Sequence, residues 1–370
     1  MGTRVFRGHA AVRFSCKFAA SLAVAVGLVG GLSACAPGGS EETPGPQVAA
    51  VQPVPAHAPR LGFTETAFTT TDDKTLPLRR WLPQGAPKAV ILALHGFNDY
   101  GNAFDTPAKE WAKQGIATFA YDQRGFGGSG ERGFWPGSAA LATDAVAAAG
   151  ILRAAYPGKP LYLLGESMGG AVAILAAGGA TGLHKAPVDG VILSAPAVWT
   201  RDSMQFLPRL ALWAGVRLFP GAVFTGESLH ILASDNIPML VALGKDPMVI
   251  KGARVDTLYG LVDLMDRTIE AAPLLDAPLL LMYGAHDAVV PKAPVQEFAA
   301  KLPAARDGRE RLAYYPNGYH MLLRDLEGPV VTADVATWIL SPPAPLLSGA
   351  DRAAAEAFSR VGSQLSAGGR

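Results

Sequence analysis

Gly165-Glu166-Ser167-Met168-Gly169-Gly170 joins a strand-like apolar run at residues 161–164 to a helix-like run at residues 171–177. A serine at such a junction is a candidate nucleophile. In a G-x-S-x-G turn the serine backbone is strained, and strand and helix can close on each other only if the flanking positions carry almost no side chain. The hydroxyl then projects above the sheet edge. The first turn of the helix aims its amides and dipole at the same point, which suits an anionic intermediate. A Gly-rich turn with an incidental serine produces the same letters, so the reading depends on whether the chain also supplies a base, an acid and oxyanion donors.

Outward from that stretch, strands and helices alternate. Apolar runs at residues 89–94, 116–121, 188–194, 278–283 and 311–315 read as strands, and residues 104–114, 138–156, 291–302 and 325–340 as helices. The alternation predicts an α/β fold with a mostly parallel central sheet and helices on both faces. Ahead of it, residues 63–70 and 76–82 flank the turn Asp72-Asp73-Lys74 and predict an antiparallel hairpin. The rhythm breaks between Pro196 and Pro273, where helical patterning continues without a convincing strand. Residues 196–273 are therefore expected to form an inserted helical cap between two halves of a core, residues 61–195 and 274–340. In the cap, Phe206, Leu207, Leu210, Trp213 and Ala214 fall on one helical stripe. That stripe reads either as ordinary core or as the roof of a pocket over the strand ends, where open α/β sheets bind ligands. Residues 341–370, with their Pro, Gly and Ala, are expected to form a loosely held tail.

A chain of 370 residues, 49% hydrophobic and only 17% charged, can bury a large core, so one domain with one insertion suffices. A formal net charge of +1, with no Lys/Arg run interleaved with aromatics, argues against a nucleic-acid partner. A small substrate is expected, and no motif calls for a metal or an organic cofactor. Oligomeric state has no sequence signature here.

Acyl transfer by serine needs a base, because a hydroxyl is a poor nucleophile at neutral pH, and the base needs an acid that fixes its tautomer. When the nucleophile sits on a strand-to-helix turn of this kind, the chain order is Ser, Asp/Glu, His. Of the seven histidines, His184, His230, His286 and His320 follow Ser167, and of these His320 lies in a loop directly after a late predicted strand. Asp287, in Gly284-Ala285-His286-Asp287, ends another apolar strand, which places it at the same sheet edge. Two oxyanion donors are expected: the amide of Met168 and, from the loop His95-Gly96-Phe97-Asn98 after the first central strand, the amide of Phe97. His95 precedes the serine and reads as a brace of that loop.

These motifs, taken in order, resemble one family. His95-Gly96-Phe97, the run from Tyr121 through Asp122, Arg124, Gly125, Phe126, Gly127 and Gly128 to Ser129, the serine turn itself, Gly284 to Asp287 and Gly318-Tyr319-His320 look like the monoacylglycerol lipase and lysophospholipase branch of the α/β-hydrolases, a serine aminopeptidase-type family. The resemblance covers about residues 63–340 and implies an α/β-hydrolase fold. It also implies carboxylic-ester hydrolysis through an acyl-enzyme, with Ser167, Asp287 and His320 as the catalytic triad and Phe97 and Met168 as the oxyanion hole. Many relatives carry His where Glu166 stands, which affects the surroundings of the nucleophile and not the triad. Asp122 and Arg124 read as loop structure.

The N-terminus carries a separate message. Arg4, Arg7, Arg13 and Lys17 precede an apolar stretch, residues 18–32, that is short for a membrane span and ends in Leu32-Ser33-Ala34-Cys35. Residues 1–34 read as an export signal, and Leu-Ser-Ala-Cys resembles the lipobox of bacterial lipoproteins. The resemblance implies cleavage before Cys35 and a lipid anchor on its thiol. With Ala36 next in the chain, it also implies sorting to the outer membrane of a bacterial cell envelope. A plain signal peptide or an uncleaved anchor is the competing reading. Cys16 is the other of the two cysteines and lies within the signal, so the processed chain would keep one thiol and no disulfide. Residues 35–60 are too poor in large apolar side chains to pack and read as a flexible tether.

A serine triad, an apolar cap and a membrane-tethered domain together favour a single-chain lipid ester, monoacylglycerol or lysophospholipid, as substrate. Two alternatives stay open. An aminopeptidase, or another hydrolase on the same triad, would need a carboxylate for a free α-amine, and Glu227, Asp235 and Asp246 in the cap could offer one. In a different class, a hydrolase-shaped lipoprotein could bind lipid or a partner without turnover.

Overall fold

The computed structural model describes residues 61–179, 182, 184–225, 231–303 and 309–359. The expected signal and tether with Cys35 lie outside the described residues, as do Glu227 and His230. Nine strands build one sheet: β1 (Gly62–Phe63), β2 (Ala67–Thr69), β3 (Thr75–Trp81), β4 (Ala89–Leu94), β5 (Ile116–Tyr121), β6 (Leu161–Glu166), β7 (Gly190–Ser194), β10 (Leu279–Gly284) and β11 (Glu310–Tyr315). Their spatial order is β1-β2-β3-β5-β4-β6-β7-β10-β11. The hairpin strands run antiparallel, β3 pairs antiparallel with β5, and from β5 to β11 every pairing is parallel.

The apolar runs read as strands because both faces of the sheet are covered, so every residue of β4, β5, β6, β7 and β10 is buried. Alternation sorts them into two cores. Val90, Leu92, Leu94, Leu163 and Leu281 face one layer, while Ile91, Leu164, Leu280 and Met282 face the other. The first layer holds α2 (Ser138–Ala155), α3 (Met168–Gly178) and α6 (Val255–Ala271); the second holds α1 (Asp105–Lys113) and α8 (Gly328–Leu340). α7 (Lys292–Lys301) completes the first layer through Val295 and Phe298. All residues of α3 are buried, which makes the helix after Ser167 the centre of its layer.

Residues 196–273 differ from the purely helical cap expected of them. α4 (Phe206–Leu218) and α5 (Ile237–Lys245) alternate with the strands of a small antiparallel ribbon, β8 (Val223–Thr225) after α4 and β9 (Gly252–Arg254) after α5. Three residues per strand are too few to register as alternation. The last helix of the segment, α6, belongs to the core, since Val262, Leu264 and Met265 are buried against it. The α4 stripe is not ordinary core: α4 buries no residue, and Phe206, Leu207 and Trp213 are exposed. Trp199, Met204 and Leu212 are what the segment turns towards the core.

The C-terminal expectation also needs correction, because residues 350–359 are not a loose tail. α9 (Ala350–Ser359) packs on the edge strand β11, with Ala350 and Ala354 buried and Phe358 edge-on to Tyr314 at 6.2 Å. Lys292 Nζ donates to the carbonyl of Ala357 at 2.9 Å, and Ser348 N donates to buried Asp334 at 3.1 Å. An edge strand exposes unpaired backbone that a neighbouring helix helps to shield.

At the start of that strand, Glu310 Oε1 is buried with no hydrogen-bond partner among the described residues. Burial pushes its carboxyl from the ordinary 4.5 up to about 7. Between those two values the folded chain binds the extra proton, so this group makes stability fall as pH rises from about 4.5 to about 7. Glu310→Gln is therefore expected to raise the melting temperature relative to the parent at pH 8 and to leave it nearly unchanged at pH 5. Thermal scans with equal differences at both pH values would contradict this.

Candidate active site

β6 ends at Glu166 and α3 begins at Met168, leaving Ser167 alone at the turn with φ 53° and ψ −116°. That left-handed backbone costs a non-glycine residue about 1–3 kcal/mol and persists only where its surroundings hold it. Ser167 N donates to the carbonyl of Ser194 at 3.0 Å, and its own carbonyl accepts from Ala197 N at 2.9 Å, so the end of β7 grips the turn from one side. β4 closes it from the other. A Cβ on Gly169 would lie deep inside the carbonyl of Leu94, and one on Gly165 inside the backbone of Gly169. The two glycines are what allow helix and strands to meet.

Asp287 follows β10 and His320 follows β11, and the parallel register brings the two turns together. His286 N donates to the carbonyl of Gly318 at 2.9 Å, and Ala285 N to that of Tyr315 at 2.9 Å. His320 Nδ1 stands 2.9 Å from Asp287 Oδ2, while Asp287 Oδ1 accepts from the amides of Val289 and Val290 at 2.8 and 2.9 Å. The Asp287 side chain is 0% exposed and that of His320 is 7% exposed, so the pair is shielded from water. The two amides occupy Oδ1 and leave Oδ2 to face the ring, so a carboxylate at Asp287 would hold the imidazole with its proton on Nδ1 and its lone pair on Nε2. Ser167 Oγ makes no hydrogen bond among the described residues, as is common before substrate tightens a site. Of the other described histidines after Ser167, His286 stacks on Tyr319 at 5.1 Å, and His184 is exposed beyond α3.

The loop after β4 lies against the serine, since a Cβ on Gly96 would sit 3.4 Å from Ser167 Cβ. Among the described residues neither the amide of Phe97 nor that of Met168 donates a hydrogen bond. His95 braces this loop. Its ring is fully buried, and burial pushes its pKa down, so the neutral imidazole accepts from Gln123 N at Nε2 over 2.9 Å and donates its single N–H, on Nδ1, to Gly96 O at 2.8 Å. Asp122 and Arg124 hold loops: Asp122 accepts from Arg79, Gly101 N and Gly128 N, and Arg124 bridges Asp72 and Asp144.

One group of residues had no counterpart in the sequence reading. Arg324, four residues after His320, donates to Glu166 Oε1 at 2.5 Å and to Asp99 Oδ2 at 2.7 Å. Burial opposes its charge, yet the two carboxylates hold its pKa above the ordinary value. The cap segment is pinned to the same loop. Ser234 donates to Asp325 at 2.6 Å, Asn236 to the carbonyl of Arg324 at 2.9 Å, and Asp235 accepts from Leu326 N at 2.8 Å. These partners are 158 and 225 positions apart for Arg324, a range at which no periodicity or spacing pairs residues.

A parallel sheet with a serine on a strained strand-to-helix turn and an acid–histidine pair at the same edge defines an α/β-hydrolase. The comparisons agree. The chain matches the family described as serine aminopeptidase, S33, over residues 85–327, and it belongs to that family. It is 30% identical over 268 residues to a monoacylglycerol lipase of Mycolicibacterium smegmatis, covering 70% of this chain and 91% of the relative. It is 28% identical to a human monoglyceride lipase, covering 72% and 86%. Among solved structures, a monoacylglycerol lipase of Paleococcus ferrophilus superposes with a TM-score of 0.60 at 20% identity, over 72% of this chain and 98% of the other. A soluble variant of the Saccharomyces cerevisiae monoglyceride lipase in complex with a substrate analog gives 0.61 at 19%, over 78% and 98%.

The elbow makes a direct prediction. Gly169→Ala should cost about 3 kcal/mol of stability in urea denaturation, because the new methyl group meets backbone that cannot yield. Activity of the remaining folded fraction should fall with it. An unchanged midpoint would mean that the helix start is not clamped against β4.

Proposed function

We propose that the protein hydrolyses carboxylic esters of single-chain lipids, monoacylglycerol or lysophospholipid, with Ser167 as nucleophile, His320 as base and Asp287 as the acid that orients it. The single observation that carries the proposal is the buried Asp287–His320 pair at the sheet edge that also bears strained Ser167. As Ser167 Oγ bonds to the ester carbonyl carbon, its proton passes to His320 Nε2, and the carbonyl electrons move onto an oxyanion held by the Phe97 and Met168 amides. Collapse of the tetrahedral intermediate breaks the bond to the leaving alcohol, which takes the proton from Nε2. Water then repeats the sequence on the acyl-enzyme, releasing the fatty acid and restoring Ser167. Asp287 stays ionised throughout and stabilises the imidazolium.

The lipid reading is supported by relatives with monoacylglycerol and monoglyceride lipase names, and by an insertion that presents Phe206, Leu207, Leu218, Phe219, Val223 and Phe224 outward. The peptidase reading needs a free carboxylate near the site. Asp235 is engaged with Leu326 N, and Asp246 with Tyr100 Oη at 2.6 Å and Met248 N at 2.8 Å. Both acids hold the cap to the core, which weighs against amine recognition.

Ser167→Ala or His320→Ala should lower kcat by about 10⁵ to 10⁶, Asp287→Asn by about 10⁴, and the double mutant Ser167→Ala/His320→Ala no further than either single one. Each buried methylene contributes about 0.8 kcal/mol, so four added carbons should gain up to about 3 kcal/mol in kcat/KM until the acyl site is full. A series of acetyl, octanoyl and dodecanoyl esters against amino-acyl anilides measures this. Fastest turnover of acetyl esters or anilides would sink the lipid reading.

We also propose that Cys35 is lipidated and holds the domain at the envelope membrane, with residues 35–60 as tether. The support is Leu32-Ser33-Ala34-Cys35 behind a basic and apolar leader. Cys35→Ser should release the protein from membranes or leave it unprocessed, as fractionation and intact mass will report. An unmodified Cys35 at a mature N-terminus defeats the proposal.

A further inference from the structure

Three loops must be held in register for the proposed chemistry: the turn of Ser167, the loop of Phe97 and the loop of His320. Each belongs to a different strand end. One side chain touches all three. Arg324 lies on the His320 loop, its Nη2 reaches Glu166, the residue before Ser167, and its Nη1 reaches Asp99, two residues after Phe97. We infer that Arg324 is a positioning residue that sets the distance between the nucleophile, its base and the oxyanion donors. The inference rests on the ester-hydrolase reading above.

The cluster is built for a fixed geometry. The side chains of Arg324, Glu166 and Asp99 are 9%, 3% and 7% exposed. A planar guanidinium offers donors in a rigid fork, so two carboxylates bound to separate nitrogens cannot move independently. Asp99 is fixed in turn, because its Oδ1 accepts from Tyr100 N at 2.8 Å. The far side of the Arg324 loop is held as well, with Asp325 Oδ2 accepting from Tyr319 N at 2.7 Å and Asp325 Oδ1 from Ser234. Buried ion pairs are weak devices for stability alone and are better suited to enforcing a particular arrangement. Glu166 Oε2 and Arg324 Nε have no hydrogen-bond partner among the described residues.

The test separates geometry from folding. Arg324→Gln, Arg324→Lys and Asp99→Asn are titrated to completion with a fluorophosphonate that labels Ser167, and kcat on p-nitrophenyl octanoate is expressed per labelled site. Misplacing reacting groups by about 1 Å costs about 10²-fold. Arg324→Gln should therefore lower kcat per site by about 10²-fold with KM changed less than about threefold. Arg324→Lys keeps the charge but loses the fork, and it should still lose at least about tenfold. If Arg324→Gln does not fold, Arg324→Lys and Asp99→Asn carry the test. Arg324→Lys/Asp99→Asn should be no slower than Arg324→Lys alone, since the two act through one contact. The inference is overturned if kcat per labelled site stays within about threefold of the parent. It is equally overturned if only the number of labelled sites falls, or if the loss lies in KM. A parent protein that neither turns over esters nor labels at Ser167 removes the hydrolase reading itself; an active parent with unimpaired variants removes the role of Arg324 alone.

Discussion

The first turn of α3 must begin directly beneath the end of β4, and most of the catalytic edge follows from that constraint. It requires Gly165 and Gly169, forces Ser167 into a left-handed backbone, and presses the loop of Gly96 and Phe97 against the serine. The strain of about 1–3 kcal/mol is small beside what the same approach buries. Val172, Ile174 and Leu175 are fully buried, and each such side chain contributes about 1.5–3 kcal/mol. The core of one layer therefore holds Ser167 in a conformation that the chain alone would not adopt.

Electrostatics divides the edge into parts with separate tasks. His95 is kept neutral by burial and acts as a hydrogen-bonding wedge between the loop after β4 and Gln123. His320, also buried, is given a carboxylate partner in Asp287, so a proton arriving at its other nitrogen can be tolerated. Two histidines with similar burial thus differ in their partners: His320 is bonded directly to a carboxylate, and His95 only to backbone. The cap enters this scheme through contacts rather than through a wall of apolar side chains. Residues 233–236 are bonded to the His320 loop, and Ile250 N donates to Asn98 O at 2.9 Å beside Phe97. Exposed Phe206, Leu207 and Trp213 remove the core reading of the α4 stripe.

Legibility in the sequence follows the range of the interaction. The central strands were readable because burial on both faces makes continuous apolar runs, and Ser167, Asp287 and His320 because strand ends and chain order restrict where an edge residue can come from. The ribbon of β8 and β9 escaped, being three residues per strand. α9 escaped for another reason: Pro and Gly at residues 342–349 masked a following run rich in Ala, with Arg352 and Glu356, that has good helix propensity. The Arg324 cluster left no local trace, since its members are ordinary surface residue types and only the fold shows that they are buried together. Glu166 was visible as a departure from the family pattern; its partner was not.

The central claim is that Ser167 attacks and carries the acyl group. Rapid mixing with a p-nitrophenyl ester, followed by acid quench and peptide mass analysis, tests it most directly. The account predicts a burst approaching one p-nitrophenol per chain and an acyl adduct on the peptide containing Ser167. A linear release with no adduct, or an adduct on any other residue, would contradict it.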